Sequence, residues 1–264
     1  MKIFTAYATK NNCYRKAQKM PSGKPDGIIV HSTGANNPNL KRYVDAPDVL
    51  GKNVYNNHWN RSDINKCVHA FIGYDINKTV AVANTLPYDV CAWGCGSGSK
   101  GSYNYKPAYL QFEICEDDLT SKAYFDSAFA AAIEFCALIC KMYDIPVAKV
   151  ISHKEAAAAG YASNHGDVDH WLKKHGKTMA WFRAQVADAI NKKSNAAFAP
   201  YKVKVTANAL NIRAGAGTNY AVCGCIKDKG VYTVVAEASG KGASVWGKLK
   251  SGAGWISLDF TKKL

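Results

Sequence analysis

Short apolar runs punctuated by Gly and polar clusters dominate the first part of the chain, and longer runs with helical spacing interrupt them. GIIVHST (27–33) is an unbroken apolar stretch bounded by Gly and a polar cluster, the pattern of a buried strand whose end carries His31. VHAFIGYD (68–75) and KTVAVAN (78–84) predict two further strands joined by a tight turn at Ile76 and Asn77. AYLQFEICE (108–116) predicts a fourth, whose alternation sends Leu110, Phe112 and Ile114 to one face and Gln111, Glu113 and Cys115 to the other. KVIS (149–152) predicts a fifth, ending at His153.

Two segments carry helical periodicity. SKAYFDSAFAAAIEFCALICKMYD has Ser121 in the N-cap position and apolar residues at helical spacing through Tyr143, and Pro146 blocks extension. KTMAWFRAQVADAINKK (177–193) sets Met179, Phe182, Val186 and Ile190 along one side of a second helix. Alternating strands and helices, with two helical layers, predict an α/β or α+β domain around a mixed sheet, of which α/β is adopted here.

Around 194–200 the sequence turns small and loop-like, SNAAFAP, and helical periodicity stops. Beyond it come YKVKVTA, LNIRAGAGTNY, GVYTVVAEA, VWGKLK and GWISLDF, short β-rich runs separated by turn residues, which predict a small all-β barrel. The expected organisation is therefore a main domain over 1–193, a linker over 194–200 and a small domain over 201–264. Aromatic residues of the small domain, Tyr220, Trp246 and Trp255, are expected mostly in its core.

Composition narrows the picture in three ways. The net charge is +14, and residues 202–264 hold ten Lys and Arg against three Asp and Glu, so the positive charge is densest in the small domain. A basic surface points to an anionic partner, which charge alone leaves open among nucleic acid, anionic lipid and an acidic polymer, and no established nucleic-acid motif accompanies it. No apolar run was read as long enough for a membrane span, and the amino-terminal stretch lacks the features of a secretory signal, so neither membrane insertion nor Sec export is expected. The nine cysteines fall at irregular places and are expected to be reduced thiols.

The chemistry concentrates in HKEAAAAGYASNHGDVDHW, where His153, His165 and Asp167 lie close together far downstream of His31. Two imidazoles and a carboxylate converging from distant segments would leave a fourth zinc position open, the arrangement of a hydrolytic rather than a structural metal site. VHSTG around His31, VHAFIGYD around His69, FEICE around Glu113 and the HKEAAAAGYASNHGDVDHW block resemble the zinc-dependent N-acetylmuramoyl-L-alanine amidases related to peptidoglycan recognition proteins, in particular bacteriophage endolysins of that class. LNIRAGAGTNY and GWISLDF resemble a bacterial SH3-type wall-binding module.

That resemblance implies zinc held by His31, His153 and Asp167, with Glu113 as general base and His165 stabilising the tetrahedral oxyanion. The spacing of His165 and Asp167 suits this, since alternate residues of an extended loop can face one cavity. Asp169 is the rival to Asp167, His170 to His165, and Glu116 to Glu113. His170 is expected to support the loop or pack beside Trp171, and Glu116 is expected to be solvated at its strand end. Relatives often carry a tyrosine where this chain has Val68, which leaves Glu113 as the base, and His69 is expected to be structural. Trp93, in a Gly-rich loop, is a candidate for lining the substrate groove. The substrate implied is peptidoglycan of the Gram-positive wall, with anionic wall polymers as a further partner. The implied setting is the host cytoplasm until release and the cell wall afterwards. The alternative is a recognition protein that binds peptidoglycan without cutting it.

Overall fold

In chain order the first unit is built from β1 (Lys2–Thr5), α1 (Asn12–Lys16), β2 (Ile28–Ser32), α2 (Pro47–Leu50), β3 (Ala70–Tyr74), β4 (Val80–Asn84) and β5 (Leu110–Ile114). It continues with α3 (Lys122–Tyr143), β6 (Val150–Ser152), α4 (His153–Ala158), α5 (Asp169–Lys174) and α6 (Met179–Asn195). The computed structural model describes residues 1–195 and 200–264, which separate into Met1–Lys193 and Ser194–Leu264. Helix α6 runs two residues into the segment expected to be a linker, and 196–199 of that segment lie outside the described residues.

The six strands form one mixed sheet in the order β1-β4-β3-β5-β2-β6. β3 and β4 are antiparallel, as their tight turn dictates, whereas β3, β5, β2 and β6 run parallel. Every residue of β2 and β5 is buried, which explains why these central strands read as continuous apolar runs: both sheet faces are covered.

Leu110, Phe112 and Ile114 of β5 pack in one cluster with Ile28 and Val30 of β2 and with Phe125, Phe129 and Phe135 of α3. Trp171 of α5 and Phe182 and Val186 of α6 belong to the same cluster. The two long helices therefore share one face, which corrects the expectation of two helical layers. The opposite face is covered by short pieces, with Leu40, Tyr43 and Leu50 on Phe71 and Cys115, and Ala156 of α4 with Tyr103 and Tyr109 on Ile29.

Helix α3 starts where its cap predicts, since the Ser121 hydroxyl accepts from the Tyr124 amide at 3.2 Å, and it ends at Asp144 with φ of 56°. By length and mean hydropathy it could cross a membrane. Its apolar side chains instead pack on the sheet, while Lys122 and Asp126 pair on its outer side.

The second unit is all β: β7 (Tyr201–Val205), β8 (Leu210–Arg213), β9 (Val222–Ile226), β10 (Val231–Gly240), β11 (Ala243–Leu249), β12 (Trp255–Ser257) and β13 (Thr261–Lys263). They hydrogen-bond in the order β13-β7-β10-β11-β12-β8-β9. Val203, Val205, Leu210, Ile226, Val234, Leu249 and Ile256 fill a core of its own. Trp246 is buried, Trp255 half-buried and Tyr220 exposed, so the aromatic residues are only partly a core set.

One expectation about cysteine fails. Cys13 and Cys67 form a disulfide, with Cα atoms 6.3 Å apart, inside the range a disulfide spans. The two cysteines stand 54 positions apart with no spacing signature, and the pairing exists because α1 folds against the segment before β3. The other seven cysteines are free, five of them buried.

Candidate active site

Three neighbouring parallel strands, β5, β2 and β6, end on the same side of the sheet, and each delivers one functional residue there. The register sets His31 of β2 directly beside Glu113 of β5 and sets Val30 beside Ser152, the last residue of β6. His153 follows at once as the first residue of α4. Carboxyl ends of parallel strands are where an open α/β sheet offers a crevice, because the connecting loops diverge there.

Helix α4 begins with a capping box: the Ser152 hydroxyl accepts from the Glu155 amide while the Glu155 carboxylate accepts from the Ser152 amide, each at 3.1 Å. Arg183 of α6 donates to both Glu155 oxygens, at 2.8 and 3.0 Å. The start of α4, and with it His153, is thus tied down from two sides. The segment that follows carries His165 and Asp167, and its return is held by the Lys154 amide donating to the Asp167 carbonyl at 3.2 Å.

His31, His153 and Asp167 converge, and they are the group of potential metal donors found among the described residues. His31 Nδ1 lies 3.1 Å from Asp167 Oδ2 and 3.1 Å from His153 Nδ1, and His153 Nδ1 lies 3.4 Å from Asp167 Oδ1. Donors at zinc-bond lengths on a tetrahedral ion stand about 3.3 Å apart, so the spacing suits such an ion. The donor chemistry suits it as well. His31 turns its other nitrogen, Nε2, to the Gln111 side-chain oxygen at 3.1 Å, and His153 turns Nε2 to the Ser163 hydroxyl at 3.4 Å. Each ring can therefore keep its Nδ1 lone pair free for a shared metal position beside the carboxylate, leaving three electron-rich groups around one point.

Burial holds the His31 ring below its ordinary pKa, against the opposing pull of Asp167, which keeps it neutral as a ligand must be. Burial alone would raise the Asp167 carboxyl, but its close polar contacts with the His153 and His31 rings outweigh it and hold the group well below the usual carboxylate range.

These residues open on a cleft of about 540 Å³, which Glu113, His165, His170, Trp59 and Lys66 also line. Glu113 is buried, and its Oε2 has no hydrogen-bond partner among the described residues. Burial first, then the nearby Asp167 and Glu116 charges, push its carboxyl well above the ordinary value. His165 is exposed in the cleft, with Nδ1 3.0 Å from the Ser163 hydroxyl and its ring 4.8 Å from that of His153.

All five residues singled out in the sequence thus meet in one cleft. Of the rivals, His170 also lines the cleft, whereas Asp169 and Glu116 do not. Asp169 opens α5 with a buried oxygen and does not line the cleft. His170 pairs with Glu116 at 2.9 Å. Glu116 is not solvated as expected: it is buried and accepts from the Ser32 hydroxyl at 2.5 Å, because β2 and α5 close over the strand end. Trp93 lines a separate pocket of about 170 Å³ with Cys13, Cys91 and Tyr105. His69 is fully buried, with Nε2 donating to the Val90 carbonyl and Nδ1 accepting the Gln111 amide, both at 2.9 Å, which is a structural role. Sequence reasoning missed Gln111 and Ser163 as partners of the two histidines. Gln111 had a visible signal, a polar residue two positions before Glu113 on the same face of an otherwise apolar strand.

Residues 21–169, which include all five site residues, match the family described as N-acetylmuramoyl-L-alanine amidase. N-acetylmuramoyl-L-alanine amidase CwlA of a Bacillus species is 27% identical over 190 residues, 71% of this chain and 64% of that protein. The chain thus spans just under two thirds of the length of that relative. Among solved structures, the Staphylococcus aureus hydrolase AmiA in complex with its ligand gives a TM-score of 0.51 at 20% identity, covering 74% of this chain and 86% of that one. The catalytic domain of XlyA gives 0.49 at 19% identity, covering 70% and 99%. The likeness to AmiA is one of fold.

Proposed function

This chain belongs to the N-acetylmuramoyl-L-alanine amidase family, and from that premise we propose that it is a zinc-dependent peptidoglycan hydrolase. The bond cut is the amide between the lactyl group of N-acetylmuramic acid and L-alanine of the stem peptide. The observation that carries this reading is the convergence of His31, His153 and Asp167, whose donor atoms, taken one per residue, lie within 4.8 Å of one another, beside a buried carboxyl in the same cleft.

His31, His153 and Asp167 would hold the ion. Bound there, zinc supplies a Lewis acid for the scissile carbonyl and acidifies the attacking water. Glu113 removes a proton from that water and returns it to the departing alanine amine, a task suited to a carboxyl whose burial has raised its proton affinity. His165, held at Nδ1 by Ser163, offers its remaining ring nitrogen to the oxyanion that forms.

The second unit is read as an SH3-like wall-binding module that keeps the enzyme on an insoluble substrate, its basic residues meeting anionic polymers of a Gram-positive wall. The whole is read as a phage lysin, held in the host cytoplasm until release and then acting on the wall. The Cys13–Cys67 disulfide fits the later, oxidising setting.

The test is digestion of purified Gram-positive walls with and without a chelator, followed by mass spectrometry of the products and metal analysis of the protein. New amino-terminal alanine, chelator-sensitive lysis and one zinc per chain are expected, and Asp167→Ala removes both zinc and lysis. Binding to walls without release of alanine would instead establish the recognition-protein alternative, and an active Asp167→Ala variant would refute the metal mechanism.

A further inference from the structure

We infer that Asn104 and Gln111 form a buried amide relay that sets the tautomer of His31 and so aims its Nδ1 lone pair at the metal position. This makes both of them positioning residues, and the inference rests on the zinc reading above.

The far end of the relay meets backbone groups whose polarity is fixed. Backbone amides of Gly94 and Cys95 lie 3.1 and 3.3 Å from the Asn104 side-chain oxygen, and an amide N–H can only donate. At the other end of the same side chain, the Asn104 nitrogen donates to the Gly96 carbonyl at 2.7 Å, and a carbonyl can only accept. Asn104 is therefore locked in one orientation, with its oxygen turned to Gln111. The atom of Gln111 that meets it at 2.8 Å must be the nitrogen, which leaves the Gln111 oxygen facing His31 Nε2 at 3.1 Å. That oxygen can only accept, so Nε2 carries a proton, and in the neutral ring Nδ1, which faces the Asp167 carboxylate, is left with its lone pair. Backbone polarity at 94–96 is thereby transmitted through two side chains to an imidazole.

Nothing around the relay offers His31 another partner on that side. Gln111 and Asn104 are wholly buried and His31 nearly so, so bulk water does not compete. The backbone of Gln111 is fixed too, donating its amide to His69 Nδ1 at 2.9 Å. Gly94 is part of the same construction: a Cβ there would lie 2.6 Å from the Gln111 side-chain oxygen, so a residue without one lets the loop close over the relay. Groups that orient a ligating histidine through its second nitrogen typically change metal affinity by about 10- to 100-fold when removed.

The experiment reads the tautomer and the zinc affinity separately. Long-range proton–nitrogen NMR of the zinc-free full chain is expected to show His31 protonated at Nε2. A wild-type ring protonated at Nδ1 would overturn the relay with no variant needed. Gln111→Leu is expected to release the ring into a mixture of tautomers and to weaken zinc binding by about 10- to 100-fold. Gln111→Glu, whose buried neutral acid keeps an acceptor for His31 and a donor for Asn104, is expected to retain the tautomer and bind zinc within a few fold of wild type. A role in packing alone predicts the opposite order, since Leu suits a buried site better than Glu. Equal tautomers and equal affinities in the wild type and Gln111→Leu, or Glu weaker than Leu, would refute the proposal. Should the wild type take up no zinc, the metal reading fails, and the zinc-free spectra of wild type and Gln111→Leu still decide the relay.

Discussion

Glu113 stands in the cleft with one carboxyl oxygen buried and unpartnered among the described residues, a costly arrangement for a group that served only packing. Glu113→Gln preserves shape and removes the proton acceptor. It is expected to lower turnover on wall fragments by about 10²- to 10⁴-fold while zinc content stays at the wild-type level, measured on the same preparation. His69 makes a different kind of prediction, because its task is to be neutral. Burial, against weaker opposing hydrogen bonds to the Val90 and Gln111 carbonyls, pushes its pKa down to about 4 from the ordinary 6.5. The unfolded chain therefore binds the proton first as pH falls. Its contribution is intact above about 6.5 and is lost progressively down to about 4, by up to about 3 kcal/mol. Denaturant unfolding across that range is expected to show the loss in the wild type and a flatter profile in His69→Gln. At this scale the sequence displayed much of the site, since His31, Glu113, His153, His165 and Asp167 sit in motifs whose order is itself distinctive. Glu116 was misjudged because its partners, Ser32 and His170, come from other elements, and only folding brings them to the end of β5. Cys13 and Cys67 were misjudged for the same reason.

Among the elements, α4 matters most for the chemistry although it has only six residues. A helix this short has little intrinsic stability, so its cap and its tie to Arg183 decide where His153 points. Ser152→Ala removes the hydroxyl that accepts from the Glu155 amide. It is expected to cost about 1 kcal/mol in thermal or denaturant unfolding and to weaken zinc binding measured by chelator competition. Unchanged zinc affinity alongside the stability loss would mean that β6 alone positions His153. The longer elements were legible because they carry full periods: α3 has its Ser121 cap and several turns of apolar spacing, and β5 shows clean alternation. β1 was not, being four largely exposed residues at the sheet edge, and α5 was hidden by the charged and histidine-rich residues around it. Helical periodicity reveals that one side is buried but says nothing about which face of a sheet it meets. That is why α3 and α6 were expected in separate layers and are found in one.

At the scale of the whole molecule, two separate cores allow catalysis and retention to be divided experimentally, since the side chains of the second core all come from residues 201–258. Residues 202–264 carry a net +7, half of the chain's +14 in under a quarter of its length. If that charge holds the enzyme on an anionic wall, deleting residues 194–264 leaves hydrolysis of soluble muropeptides within about twofold of the full chain. The concentration needed to clear intact walls then rises on the order of 10²-fold, because the second binding event and its effective concentration are lost. Salt separates charge from shape in the same assay. Raising ionic strength from about 0.1 M to about 1 M shortens the screening length from about 10 Å to about 3 Å. Retention of the full chain on walls is expected to fall steeply over that range, whereas muropeptide cleavage, set by the buried residues of the cleft, changes little. Retention that ignores salt would assign wall binding to shape and hydrogen bonding in the second unit instead of its lysines. Equal wall clearance by the full and the truncated chains would remove that unit from the lytic mechanism altogether.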